Sequence, residues 1–346
     1  MTLLVVAKAM DRTADYAVRR MEARGLSYAR LDSDRFGEAN IELHFPESSP
    51  SGLILENKHV RLADIQAVWL RRLVKPGADH ISAPEPRRFA EQELDFTLRW
   101  LIDILDYRCP VVDPERTFAS GQNKFGQLAI APKLGLMSPA TLITNNPQTA
   151  KDFVKQYHHV ALKSVAGYGR KVPGGFYAAY TRLVTPEIVA KFDSLGLAPV
   201  CLQEYIPKAF ELRITVIGAN IFGCRIDSQE TERTRIDWRR YDASTPHSIY
   251  AINSQLGDKL LGMMRRYELR FASFDFIVTP DGREIFLEMN PASQYLWIEE
   301  LTGMPITDAI IDELLRLSET AREYPFDSGR DGRCFNGAFR HETGYL

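Results

Sequence analysis

Unbroken apolar runs and amphipathic stretches alternate along this 346-residue chain, and their order predicts most of its elements. Residues 3–7, LLVVA, have the length of a buried strand. TADYAVRRMEARG (13–25) then reads as a helix stopped at Gly25, and SYARLD (27–32) as a second strand. Strand, helix, strand in that order predicts a small parallel α/β unit. IQAVWLRR (65–72) reads as another buried strand and APEPRRFAEQELDFTLRWLIDIL (83–105) as a long amphipathic helix. Proline and turn formers cluster in CPVVDPERTFASGQNK (109–124), which places a boundary there. Beyond it, NKFGQLAIAPKLGLMSPAT reads as a helix, a turn and an extended segment, and VALKSVAGYGRKV (160–172) as a strand entering a glycine-rich turn. VCLQEYIPKAFELRITVIGANIFGCRID (200–227) holds several short strands, with Gly218-Ala219-Asn220 as a hairpin turn and QEYIP as a connection. The final GRDGRCFNGAFRHETGYL reads as a tail.

One stretch departs from this pattern. In FASFDFIVTPDGREIFLEMN (271–290) two apolar runs flank Thr-Pro-Asp-Gly, and each carries an acid where a buried strand normally has none. A four-residue loop at Pro280–Arg283 predicts a hairpin in which Thr279 opposes Glu284, Ile277 opposes Phe286 and Asp275 opposes Glu288. The two-residue period of a strand then puts Asn290 on the face of Glu288. Adjacent carboxylates repel, so the cluster calls for a compensating cation. A hard divalent ion suits oxygen ligands, and Mg²⁺ completes its shell with water and phosphate oxygens. The same residues also fit a half-exposed hairpin whose polar face meets water, and a one-residue slip would separate the carboxylates. Lys163 ends VALK just ahead of a glycine-rich loop, where backbone N–H groups can approach an anion. That loop is neither a Walker loop nor a dinucleotide fingerprint, and a solvated turn explains it too.

Composition narrows the class. Hydrophobic residues make up 45% of the chain and charged residues 25%, the balance of a globular protein long enough for two or three cores. A formal charge of −2 argues against a nucleic-acid binder. Cys109, Cys201, Cys224 and Cys334 form no short-spaced pair, which suits free thiols in a reducing compartment. The N-terminal apolar run is too short for a signal peptide, and no stretch approaches the length of a membrane span. These features predict a cytoplasmic protein with neither nucleic acid nor membrane as a partner.

Lys124 in GQNK, Lys163 in VALK, the loop from Gly167 to Gly175, QEYIP (203–207), ELR (211–213) and the FD…EMNP hairpin, in that order, resemble the ATP-grasp ligases. VWLRR (68–72), QEYIPKAFELRITVIG (203–218), DWRRYD (237–242) and LEMNPASQYLWIEELTGMPITDAI (287–310) are similar, more narrowly, to the microviridin-type (graspetide, MvdC/MvdD-like) peptide maturases. The likeness runs over residues 3–315, and ordered agreement of that extent is more specific than any one motif. It implies an α/β (α+β) ATP-grasp fold. An N-terminal pre-ATP-grasp α/β domain would span 1–115, a central subdomain with the glycine-rich loop 116–202, a C-terminal antiparallel-sheet subdomain with the metal site 203–325, and a tail 326–346.

The resemblance also implies roles. Lys124 and Lys163 should hold the phosphates of ATP, with the loop of Gly167 and Gly169 closing over them. Gln203, Glu204, Tyr205 and Ile206 should line the nucleotide site, the last three facing the adenine, with Glu211 near the ribose. Arg213 should act with Lys163 at the transferred phosphoryl group, and Asp275, Glu288 and Asn290 should bind Mg²⁺. Many grasp enzymes outside this subgroup carry Asp where this chain has Glu211. The implied reaction activates an Asp or Glu side chain of a ribosomally made precursor peptide as an acyl-phosphate. A Thr or Ser hydroxyl, or a Lys amine, then displaces phosphate and closes a lactone or lactam. A homodimer is implied as well. Arg239 and Arg240 in DWRR, and Arg71 and Arg72 in VWLRR, are candidates to meet the acidic substrate, although such arginines ordinarily face solvent. Two other readings share the motifs: a ligase that extends a protein tail or joins small molecules, and an ATP-binding regulator without turnover. The intact set of Lys163, Arg213, Asp275, Glu288 and Asn290 speaks against the regulator.

Overall fold

In the computed structural model, the run LLVVA lies in the second-placed strand of a parallel sheet. The strands are β1 (Thr2–Ala7), β2 (Tyr28–Asp32), β3 (Ile65–Leu70) and β4 (Val111–Val112), in the order β2-β1-β3-β4. Its side chains alternate between two cores, which is why none is polar. Leu3, Val5 and Ala7 pack with Ala14, Ala17 and Met21 of α1 (Arg12–Ala23), whereas Leu4 and Val6 pack with Leu98, Leu101 and Leu105 of α2 (Pro84–Arg108). Asp11 caps α1, its carboxylate accepting the N–H groups of Thr13 and Ala14. The structure describes residues 2–45, 51–55, 58–165, 169–172, 175–178, 180–239, 245–291 and 293–323, with 169–178 and 321–323 given by backbone alone. No helix among them is long and apolar enough to cross a membrane.

After α3 (Lys124–Ile130) the chain builds an antiparallel sheet from β5 (Thr141–Thr144), β6 (Val160–Lys163), β9 (Arg182–Leu183) and β10 (Val200–Glu204), in the order β9-β6-β10-β5. Where a glycine-rich turn is expected, β7 (Gly169–Val172) and β8 (Gly175–Ala178) pair as a separate hairpin. The third sheet holds β11 (Phe210–Ile217), β12 (Asn220–Ile226), β13 (His247–Tyr250), β14 (Phe271–Val278) and β15 (Glu284–Pro291), in the antiparallel order β13-β12-β11-β14-β15. Gly218, at φ 55°, opens the two-residue turn between β11 and β12. One face of this sheet is apolar: Ile214, Val216, Phe274 and Phe276 pack on Leu256, Leu260 and Met263 of α4 (Ser254–Arg266). α5 (Ile306–Glu323) joins sheets, since Ile310, Ile311 and Leu314 share a core with Leu3 and Val5 and with Ile217 and Phe271.

The β14–β15 hairpin differs from its expected register near the turn. The loop has three residues, Pro280-Asp281-Gly282, closed by the Thr279 N–H on the Arg283 carbonyl (3.0 Å), with Gly282 at φ 84°. That left-handed glycine is what a three-residue hairpin loop requires. Ile277 therefore opposes Ile285, and Val278 opposes Glu284. A bulge at Leu287 then absorbs one residue, so that Asp275 does oppose Glu288. Packing supplies the reason. Phe286 belongs in the core with Phe276, ring centroids 5.5 Å apart, and Glu288 belongs on the other face. A regular pleat puts residues two apart on one face; an extra residue separates them.

Candidate functional site

The polar face of the third sheet closes a cavity of about 510 Å³ against the end of the second. Register brings its centre together, because Arg213 of β11 pairs across from Asp275 of β14, and Asp275 from Glu288 of β15. Arg213 Nη1 donates to both oxygens of Asp275 (2.7 and 2.6 Å), and Nη2 to Ser293 Oγ (2.5 Å). Asn290 Nδ2 bridges the two acids, 2.9 Å from Asp275 Oδ2 and 3.1 Å from Glu288 Oε1. Lys124, the first residue of α3, sets Nζ 2.5 Å from Glu288 Oε2. Its helix is pinned to β15 by buried Gln127, which donates to the carbonyls of Gly121 and Met289 and accepts the Met289 N–H.

Burial is the largest influence on both acids, and their neighbours decide the outcome. At Glu288 the charges of Lys124 and Lys163 overcome it and hold the carboxyl down to about 2. At Asp275 burial, reinforced by the Glu288 charge, prevails over Arg213 and raises it. Lys163, at the end of β6, is half-buried with Nζ 2.5 Å from Gln203 Oε1, and desolvation pulls its pKa below the usual lysine range. Gln203 in turn donates to Thr141 Oγ1 (2.9 Å), so its amide orients the lysine.

The connection after β10 forms one wall. Glu204, Tyr205 and Ile206 line the cavity, held by the Glu204 N–H on the Ala140 carbonyl (2.8 Å) and the Tyr205 N–H on the His159 carbonyl (2.9 Å). Glu211 is buried beside Lys208 Nζ (2.6 Å), and desolvation raises its pKa in spite of that partner. Arg239 reaches the cavity wall with Nε and Nη2 on the Asp237 carboxylate (2.8 and 2.7 Å).

Of the sequence-predicted residues, Lys124, Lys163, Gln203, Glu204, Tyr205, Ile206, Glu211, Arg213, Arg239, Asp275, Glu288, Asn290 and Arg72 all line this one cavity. Gly169 opens β7, paired with Ala178 of β8. Gly167, Arg240 and the tail 326–346 lie outside the described residues. Arg71 is a correction. It is fully buried, with Nε 3.7 Å from the Oδ2 of Asp11, the N-cap of α1, and it does not line the cavity. Adjacent residues of an extended chain point opposite ways, so Arg71 goes in and Arg72 comes out. Sequence reasoning missed Gln127, Lys208, Asp237 and Ser293. Lys208, Asp237 and Ser293 lie within stretches that carry the resemblance, and Gln127 is an amide on the inward side of a short helix.

The donor set fits a hard divalent ion. Among the described residues no three acidic, histidine or cysteine side chains converge, so the cluster offers two carboxylates and an amide. Asn290 would have to turn its Oδ1 toward the ion in place of the Nδ2 that now bridges the acids.

Comparison with known proteins agrees with this geometry. Residues 2–117 match the family model of the MvdD pre-ATP-grasp domain. The chain is similar to the macrocyclase MdnC of Microcystis aeruginosa MRC, solved with its precursor peptide MdnA (28% identity, TM-score 0.79, 91% of this chain and 100% of that one). It is also similar to a RiPP-associated ATP-grasp ligase of Chryseobacterium gregarium, solved with ADP and a leader and core peptide (26%, 0.83, 91% and 96%). D-alanyl-alanine synthetase A of Vibrio cholerae shares the fold alone (11%, 0.55, 92% and 98%). No curated protein matches the sequence. Residues 2–117 thus carry the MvdD pre-ATP-grasp domain, and over nine-tenths of its length the chain is similar to solved ATP-grasp ligases that act with precursor peptides.

Proposed function

We propose that this protein uses ATP to activate Asp or Glu side chains of a ribosomally made precursor peptide, and then closes lactone or lactam rings. The observation that carries the reading is one cavity in which Lys163, Arg213 and Lys124 surround the Asp275–Glu288–Asn290 cluster. Phosphoryl transfer to a carboxylate brings anions together, and fixed cations offset that repulsion. Asp275, Glu288 and Asn290 would hold Mg²⁺, which neutralises charge on the phosphates. Arriving phosphates compete for Lys124, now on Glu288, and for Lys163, now on Gln203. Arg213 keeps its place through Ser293 when it faces the transferred group. Glu204 to Ile206 would receive the adenine and Glu211 the ribose, and Arg239, oriented by Asp237, adds positive potential to the wall.

The acceptor carboxylate oxygen attacks the γ-phosphorus, the bond to the β-γ bridging oxygen breaks, and ADP leaves. A hydroxyl or amine of the same peptide then attacks the acyl carbon and expels phosphate, helped by the proximity of two groups on one bound chain. The reading includes a homodimer and a cytoplasmic location; the described cysteines, Cys109, Cys201 and Cys224, are free and buried. Mass spectrometry of a Thr- and Glu-rich peptide encoded beside this gene, co-expressed with the protein, should show one water lost per ring. An unchanged mass would refute the cyclase assignment.

A further inference from the structure

The reaction leaves open what holds the acceptor carboxylate beside the phosphates that repel it. Most cations lining the cavity already have partners: Lys124 with Glu288 (2.5 Å), Lys163 with Gln203 (2.5 Å), Lys208 with Glu211 (2.6 Å), Arg213 with Asp275 (2.6 Å) and Arg239 with Asp237 (2.7 Å). Arg72 lines the same cavity, is exposed, and has no ion pair or side-chain hydrogen bond among the described residues. Among the described lining residues it alone comes from the N-terminal α/β unit, two residues beyond the end of β3, so its charge enters from outside the strands of the second and third sheets.

Its base is firm. The Arg72 N–H donates to the Val6 carbonyl (3.2 Å), its carbonyl accepts from Ser33 Oγ (3.3 Å), and the preceding Arg71 is sealed inside. A long cationic arm on a fixed root suits a ligand that arrives and leaves. A guanidinium can grip a carboxylate with two parallel hydrogen bonds, which an ammonium cannot.

We propose that Arg72 binds the side-chain carboxylate of the acceptor residue and sets the preference for Asp or Glu over their amides. This assignment rests on the peptide-ligase reading. The test titrates the full chain, loaded with ADP and Mg²⁺, with a synthetic peptide of alternating threonine and glutamate and with its threonine–glutamine counterpart, by calorimetry. Wild type should prefer the glutamate peptide. Arg72→Gln should weaken that peptide about tenfold or more, leave the glutamine peptide and ADP within about twofold, and so abolish the preference. Arg72→Lys, with charge but no fork, should fall between. A preference that survives Arg72→Gln removes Arg72 and leaves the ligase reading standing. Equal weakening of both peptides makes Arg72 a shape contact, and lost ADP affinity places it on the nucleotide; either overturns the proposal. A wild type indifferent to glutamate overturns this assignment and the reading beneath it.

Discussion

Lys163 is half-buried, and the loss of water around its amine makes it hold its proton less firmly than an exposed lysine would. The same setting places Nζ 2.5 Å from Gln203 Oε1. Phosphate binding needs the ammonium form, and the folded-state pKa is lowered, so the charge is lost as pH rises through a window below the ordinary lysine range. Affinity for Mg·ADP should therefore weaken at a lower alkaline pH than a solvated lysine would dictate. Lys163→Arg, whose guanidinium stays charged, should remove that limb. Calorimetric titration with Mg·ADP at stepped pH reads it directly; coincident profiles for the two proteins would show that another group governs binding. A partner such as Gln203 was only partly legible in the chain. Its place in QEYIP marks it for the nucleotide, and nothing in that motif shows that its oxygen would orient a lysine on the neighbouring strand.

The β14–β15 hairpin gives a sharper account of what pattern can and cannot reveal. Opposition of Asp275 and Glu288 follows from counting residues, yet the count that predicted it assumed a four-residue loop and a regular pleat. The loop has three residues and Leu287 is a bulge, so two departures cancel at the acids and leave Ile277 and Val278 displaced by one. A clue was present: Phe286 and Glu288 sit two apart, and a single face cannot serve as both core and cavity. The long-run strands and helices were legible because each satisfies one period, and the bulge was not because it breaks one. Deleting Leu287 should leave Phe286 and Glu288 adjacent on a regular pleat, still facing opposite ways and with Asp275 still opposite Glu288. The variant should therefore fold and still bind Mg·ADP, read by thermal unfolding and calorimetry. Glu288→Gln tests the acid itself. It retains the bulge and nearly the volume, so the melting temperature should stay within a few degrees while peptide-dependent ADP release drops about a hundredfold or more. Wild-type release from Glu288→Gln at saturating Mg²⁺ would refute the metal assignment. A deletion variant that no longer folds or binds Mg·ADP would refute this account of Leu287.

Taken as a whole, the molecule sets its cavity where three sheets meet. The third sheet supplies Arg213, Asp275, Glu288 and Asn290, the second Lys163 and Gln203, and the segment just after β3 of the N-terminal sheet Arg72. The order of these groups along the chain was legible as a likeness to the grasp ligases, because most sit in or beside strands that their flanking sequence marks. Their convergence was not, since residues as far apart as 72 and 290 meet only through sheet stacking and the shared core under α5. The arrangement also bears on which phosphorus is attacked. The grasp likeness aims the terminal phosphoryl group at the acceptor, and the cations surrounding Asp275 and Glu288 suit a charge that grows there. Attack at the γ-phosphorus yields ADP and then one phosphate for each ring closed, whereas attack at the α-phosphorus would yield AMP and pyrophosphate. An acyl-phosphate also hydrolyses where water reaches it, so turnover without a second nucleophile would release phosphate and open peptide. ADP and phosphate should therefore appear in equal amounts, rise with added acidic peptide, and match the water lost from the product when the rings close. Chromatography of nucleotides beside mass spectrometry of the peptide measures all three. AMP as the main nucleotide product would overturn the acyl-phosphate route, and ADP in excess of rings would mean that the cavity activates the carboxylate faster than the peptide can close upon it.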